Sequence, residues 1–346
     1  MKKISPVVIV GLILTVACLL LYVSGPTFVQ AVSNYAYDAF IRQVSKPAQS
    51  DTIVIVDLDD ASLQKYGQWP WPRYRVARLP QRIMDQGAAV IGFDIVFPEE
   101  DRTSPVVMQR DLSTNFNLNV KVEGLPEELL DFDRMFADVL KKGKNIIGCF
   151  MVPSELPVEK ADESLDPTFK PHIGDKKKNA SVAADLHDFL LQACGLTISI
   201  PILSAASRPA FFNAVADGDS IVRSNPLVWG YGERIYPSLA LEAVMLYTGI
   251  PRCMVVYDDQ GVQGISLKKA FIPTDKLGRI IVNYRTIREE SNEGFASSFP
   301  AYSAADVMEE KLPAGALEGK IVFVGTSAVG LKDIKASPLT QFFSGV

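Results

Sequence analysis

The 346 residues are 48% apolar and 22% charged, which is ample for a packed core and excludes a disordered or low-complexity chain. A net charge of −5, with no basic stripe carrying interleaved aromatics, excludes a nucleic-acid surface. The one basic run, Lys176 to Lys178, lies among acids and reads as a solvated loop.

Residues 4–24 form a run of 21 without a charge. That is enough to cross a hydrocarbon core of about 30 Å. Lys2 and Lys3 precede the run and no Lys or Arg follows until Arg42, so the positive-inside bias keeps the N-terminus in the cytosol and exports the rest. A cleaved signal peptide is the competing reading. Its apolar region is normally shorter and ends at a small-x-small site, for which Val23-Ser24-Gly25 is poor. Cys18 is followed by three leucines, which argues against lipidation. The expectation is an uncleaved anchor within residues 1–25 and a helical connector over 26–50. Phe28, Val32, Tyr35, Ala39 and Val44 fall roughly on one face of that connector.

Residues 52–58 are an apolar, β-branched run ending in carboxylates: Asp57, then Asp59 and Asp60. This is a buried strand meeting a polar rim. Trp69-Pro70-Trp71-Pro72-Arg73 then makes a turn, with Pro72 in the first turn of a crossover helix that Arg73 begins. Pro80 lacks the helical N–H and clashes with the preceding turn, which predicts a break near Leu79. A second apolar run, 88–97, carries Asp94 near its end. Roughly 25 residues separate Leu63 from the second run, enough for a βαβ crossover, and the carboxylates are expected at the carboxyl edge of the sheet.

Residues 106–126 lack clear periodicity. A helix is predicted over 127–142 and a third strand over 145–151. Residues 153–182, rich in Pro, Lys, Asp, Glu and Ser, read as a variable loop without a packed core. His172 falls in that loop and His187 in a short helix predicted for 183–193. Neither stands at ligand spacing from Cys or Asp, so neither is assigned chemistry. The Asp217-Gly218 step leading to Arg223 reads as a turn between sheet segments. A helix follows over 236–247, with Pro237 in its first turn and Gly249 as its cap, then strands over 254–257 and 278–284. Another helix starts at Tyr302, and a last strand runs through 319–325 into Gly325-Thr326-Ser327. Cys149, Cys194 and Cys253 match no metal spacing and read as buried free thiols.

Several of these stretches together resemble one family. VDLDDASL (56–63), GQWPWPR (67–73), GAAVIGFDIVF (87–97), the Asp217-Gly218 step before Arg223, NY (283–284), YSAADV (302–307), GKIVFVGTSA (319–328) and a Ser337-Pro338 step are similar to the blocks of a CHASE2 domain, over nearly all of residues 30–346. The family's crossover helix is usually uninterrupted, so Pro80 is a departure. The resemblance implies an extracytoplasmic sensor of a receptor in the bacterial cytoplasmic membrane, homodimeric through the receptor. Such receptors signal to an adenylate or guanylate cyclase, a histidine kinase or a Ser/Thr kinase. No such catalytic domain lies in these residues, so the chain itself is expected not to be an enzyme.

The expected fold is α/β, with a mixed, mainly parallel sheet flanked by helices. An N-terminal transmembrane helix precedes it, and residues 51–346 form the sensor domain. The residues expected to bind an unknown small ligand or protein signal are Asp57, Asp59, Arg73, Asp94, Thr326 and Asp333. All but Arg73 sit at or just past the end of an apolar strand, and Arg73 could balance the carboxylates or grip an anion. No metal or cofactor is expected. A metal-assisted phosphatase built on Asp57 and Asp59 is the alternative, since a strand ending in Asp-x-Asp is similar to haloacid-dehalogenase-like enzymes. Ala61 stands where their hydroxyl is expected, and no second acidic pair follows a late strand. A structural cell-surface module is the third reading. Gly325 to Gly330 fits no phosphate-loop pattern and reads as a tight turn.

Overall fold

The computed structural model describes residues 5–24, 27–45, 52–154, 162–179, 184–285, 299–328, 334–340 and 343–344. Its helices are α1 (Pro6–Ser24), α2 (Thr27–Val44), α3 (Asp60–Tyr66), α4 (Arg73–Asp85), α5 (Pro105–Phe116), α6 (Phe132–Leu140), α7 (Pro201–Ala206), α8 (Leu239–Thr248) and α9 (Ala304–Met308). Its strands are β1 (Ile53–Asp57), β2 (Val90–Phe93), β3 (Asn145–Pro153), β4 (Ile173–Lys177), β5 (Ala193–Thr197), β6 (Arg208–Phe211), β7 (Ser224–Pro226), β8 (Val228–Tyr231), β9 (Arg234–Pro237), β10 (Cys253–Asp258), β11 (Gly261–Leu267), β12 (Ala270–Pro273), β13 (Arg279–Ile281), β14 (Ala301–Ser303), β15 (Ile321–Gly325), β16 (Ile334–Lys335) and β17 (Phe343–Ser344).

The central sheet runs β14-β1-β15-β2-β3, with β5 and β6 both paired to the long β3. Every pairing in it is parallel except β3 with β5. The inner strands β1, β15 and β2 are apolar along nearly their whole length because both faces are covered. Alternate residues divide between the faces. Val54, Val56, Ile91, Phe93, Ile147, Val322 and Val324 join a core with Val76 and Ile83 of α4, Phe136 of α6, Leu203 of α7 and Val307 of α9. Val90, Ile146 and Ile321 face the other way, onto Leu239 and Ala243 of α8. The expected βαβ unit is therefore modified: β1 and β2 are joined through α4, but β15 lies between them.

α8 also packs on its far side. Leu241 and Met245 enter a second core with Val255, Tyr257, Val262 and Ile265, beneath a small sheet ordered β12-β11-β10-β4. A helix held between two sheets must be apolar nearly all round, and α8 is. Gly249 at φ 67° ends it in the left-handed conformation, as its position in the sequence implied.

Several local expectations need correction. α4 runs through Pro80 without a break, and the buried proline ring takes its place in the apolar face with Val76, Ala77, Leu79 and Ile83. Residues 105–116 are helical, with Pro105 in the first turn after Ser104. The helix predicted from 127 begins at Phe132, capped by Asp131, after a single 3₁₀ turn. Pro237 closes β9, and α8 is capped by Ser238. A 3₁₀ turn stands where a helix was expected near 186–188. The polar segment 153–182 contributes β4 to the small sheet, parallel to β10.

Among the described residues no helix is long and apolar enough to cross a membrane. The span expected over 4–24 is thus not shown; α1 covers 19 residues of it, all uncharged. All four cysteines are free; Cys149 and Cys253 are buried and Cys18 and Cys194 exposed.

Candidate functional site

Parallel register carries three of the predicted residues to one edge. Asp57 pairs with Gly325 and with Ser303, and Phe93 pairs with Val324, so Asp57, Asp94 and Thr326 come to the carboxyl ends of three adjacent strands. The backbone continues the row: Leu58 N–H donates to Gly325 O at 2.8 Å and Asp94 N–H to Val324 O at 2.9 Å. Asp333, the sixth candidate, lies outside the described residues.

What these groups touch is mostly protein. The Asp57 carboxylate accepts the backbone N–H of Ser327 at 2.8 Å and the Ser327 hydroxyl. Burial raises its pKa, against those two hydrogen bonds. Thr326 Oγ1 donates to Leu58 O at 3.0 Å, tying the β15 loop to the end of β1. Asp59 is the N-cap of α3, accepting from Ser62 N–H at 2.8 Å, and also accepts the Ser303 hydroxyl at 2.9 Å. Ser62 and Ser303 both receive the Ala305 N–H, so one acid organises the starts of α3 and α9. Both carboxylates of the Asp-x-Asp pair are thus engaged by protein donors. Among the described residues no group of three or more His, Cys, Asp or Glu side chains is placed to hold a metal.

Arg73 belongs to a different cluster. Its N–H donates to Asp101 Oδ2 at 2.6 Å, which extends the acid's caps to the first turn of α4, and its Nη2 donates to Glu99 O at 3.1 Å. Its Nε stands 3.3 Å from Asp133 Oδ1, and Asp133 Oδ2 accepts the Asp101 N–H at 2.7 Å. The guanidinium lies over the Phe97 ring, 4.5 Å from its centre. Burial lowers the Arg73 pKa, against the pull of Asp133, Asp101 and Glu99, and burial raises that of Asp133. Arg73 therefore does not balance Asp57 or Asp59.

This cluster is one wall of a cavity of about 420 Å³, formed by 69–73 and 96–103. Trp69, Pro70, Phe97 and Pro98 give it an aromatic and proline lining; Glu99, Glu100 and Asp101 bring carboxylates. Trp69 stands 5.7 Å from Trp71 and 6.3 Å from Phe97, so the half-buried ring is braced by two buried ones. Of the five predicted residues that are described, Arg73 alone lines this cavity. The unusual Trp-Pro-Trp-Pro-Arg run was the sequence signal for it. The opposite wall, 96–103, carried only a turn-like acidic pattern.

Two further charged clusters went unread. Glu242, fully buried on α8, meets Arg208 at 2.7 Å and His172 at 2.8 Å. Burial alone would raise the Glu242 carboxyl, yet His172 and Arg208 hold it below its ordinary value. Burial likewise opposes the His172 cation, but Glu242 raises its pKa overall. Arg223 is surrounded by Asp38, Asp217 and Asp219. Its position after an Asp-x-Asp turn was visible in the sequence; its partner on α2 was not.

A family model described as CHASE2 domain matches residues 12–346, nearly the whole chain. No curated protein and no solved structure matches it.

Proposed function

The chain belongs to the CHASE2 family, a family of sensory domains, and from that premise we propose that it is the extracytoplasmic sensor of a membrane receptor. Its message would pass to a cyclase or kinase output. The observation that carries a ligand-sensing role is the cavity bounded by 69–73 and 96–103. Its size is in the range of small-molecule sites, and it lies beside the carboxyl edge, where parallel sheets commonly place ligands. The fixed Arg73 and the braced Trp69 give it preformed walls. Asp57, Asp59, Asp94 and Thr326 remain candidates for a second contact set at the strand ends, and the hydrogen bonds that Asp57 and Asp59 already make to protein donors favour a supporting role.

The anchor belongs to the same proposal. It rests on the uncharged run of residues 4–24 behind Lys2 and Lys3, and not on the length of the helix described within that run. Leu12, Ile13 and Leu14 are at least 60% exposed, as lipid-facing side chains would be. A reporter fused after Val346 should be active outside the cytosol; activity only inside would refute the topology.

Ligand sensing is tested by thermal shift of the chain against a panel of metals, small acids, organic cations and redox compounds. Binding to the native state alone stabilises by about 2.7 kcal/mol at a hundredfold excess over the dissociation constant. A hit abolished by Trp69→Ala and kept by Asp57→Asn assigns the cavity. The reverse result assigns the strand ends, and no hit across the panel counts against small-ligand sensing.

A further inference from the structure

The turn at 217–223 is where α2 meets the body of the domain. Arg223 is 6% exposed, and its five N–H donors make five hydrogen bonds, all to carboxylates. Nε and Nη2 hold Asp38 of α2 at 2.8 and 2.7 Å. Nη1 and Nη2 hold Asp219 at 2.9 and 2.8 Å, and Nη1 holds Asp217 at 2.8 Å. The backbone at the same place is pinned to two other segments. Val222 N–H donates to Ala336 O at 2.9 Å, and Arg223 O accepts the Val282 N–H at 2.9 Å. α2 and the residue that follows it touch both of those segments further along. Arg42 Nε donates to Pro338 O at 2.8 Å and the Ser45 hydroxyl to Tyr284 O at 2.9 Å.

Apart from this, α2 is lightly held. Asp38 and Ile41 are its buried residues among those described; Phe28, Val32, Tyr35 and Phe40 are exposed. Local stability follows such contacts, so α2 is the element that can leave without unfolding the sheet. The charge arithmetic favours that event. One guanidinium faces three carboxylates, so when Asp38 withdraws, Arg223 stays paired with Asp217 and Asp219 while Asp38 passes into water. Neither side is left as a buried, uncompensated charge, which is what normally makes breaking such a pair costly.

We propose that the Asp38–Arg223 pair is a latch that sets whether α2 is docked or released, and that the 217–223 turn is the point through which the domain controls that helix. The proposal deepens the sensor reading by naming the element regulated. The latch itself is measured without any ligand, so a failed ligand screen and a failed latch are separate results.

The test is hydrogen exchange, resolved by peptide, on the full chain in detergent micelles. Asp38→Asn should speed exchange in 27–45 about tenfold or more, as loss of a charge-assisted hydrogen-bond pair implies, while β1 and β15 exchange as in the wild type. Asp219→Asn keeps the α2 pair and should leave 27–45 near wild type. Unchanged exchange in 27–45 for Asp38→Asn overturns the latch. Equal acceleration of α2, β1 and β15 also overturns it, since the pair would then serve the whole fold. Acceleration by Asp219→Asn as large as by Asp38→Asn would show that the cluster, not the α2 pair, holds the helix.

Discussion

Arg73 and Arg223 are 7% and 6% exposed, and each is set among aspartates. Around Arg223 every N–H is matched to a carboxylate oxygen, and Asp38 and Asp219 drive its pKa well above the ordinary value. Around Arg73 the arrangement is looser: one ion pair at 3.3 Å, one backbone carbonyl and one aromatic face. Burial wins there and the pKa falls. The difference lies in what each guanidinium joins. Arg73 fastens the start of α4 to the 99–101 loop and α6, inside one packed wall. Arg223 fastens a helix that is otherwise exposed to a turn whose acids are partly solvated, Asp217 at 25% and Asp219 at 44% exposure. The same side chain makes a fixed wall in one place and a separable joint in the other.

The sharpest way to break this comparison is Arg73→Gln. It leaves Asp133 and Asp101 buried without their cation, and urea unfolding of the full chain should show a loss of about 3–5 kcal/mol. A loss below about 1 kcal/mol would mean that the backbone caps around Asp101 hold the wall without the guanidinium. Arg223→Gln should cost less, about 1–3 kcal/mol, because Asp217 and Asp219 can be rehydrated. If it proved the more damaging of the two, the joint would be part of the core and the contrast would collapse.

The Glu242 cluster is an intermediate case, since one buried acid is shared by a permanent cation and a switchable one. The folded-state pKa of His172 lies above its ordinary 6.5, so its contribution is fully present below that value and is lost as pH rises through the raised one. Glu242 behaves oppositely: depressed from 4.5, it contributes above that value and loses its contribution as pH falls through the folded one. Urea midpoints followed from mildly acidic to mildly alkaline pH should therefore decline above the ordinary imidazole value, and His172→Gln should flatten that slope. A wild-type slope unchanged by His172→Gln would remove the histidine from the account. The smallest effect is expected at the lip of the cavity. Glu99 and Arg102 are 69% and 79% exposed, so Glu99→Gln should change stability by no more than about 0.5 kcal/mol. Any larger effect in a ligand titration would then report binding, not folding.

The strands most legible in the sequence were those buried on both faces. β1, β2 and β15 announce themselves as unbroken apolar runs ending in Asp57, Asp94 and Thr326, and the parallel sheet brings those ends together as expected. The order was not legible, because nothing within residues 53–93 says that β15 will separate β1 from β2. Arg73 stood out by its Trp-Pro setting, but its partners could not be chosen from sequence. Asp133 lies on α6, brought near only by packing, and Asp57 was as good a guess by charge alone. His172 was hidden by composition, since the polar stretch around it looked like solvent-exposed loop. Its place became clear only when β4 paired with β10 beside α8. Pro80 misled for the opposite reason: local backbone chemistry argued for a break, and burial of the ring in the core of α4 outweighed it. Ser104-Pro105, a helix-start signal in its own right, went unused because the residues after it showed no clean period.

The place of β15 between β1 and β2 bears on how the chain is made. Thr326 and Leu58, bonded to each other across that seam, are 268 residues apart in sequence. Until the late strand emerges, β1 and β2 each present an open, apolar edge with no neighbour to fill the gap. Such edges invite pairing with other chains, and long-range parallel pairing forms slowly. A ribosome making this chain therefore holds an unfinished sheet until residues 321–325 have emerged. Folding should switch on abruptly once residues 321–325 are free. Arrest of translation just before and just after that segment, followed by protease challenge of the nascent chain, would show whether resistance arrives in one step.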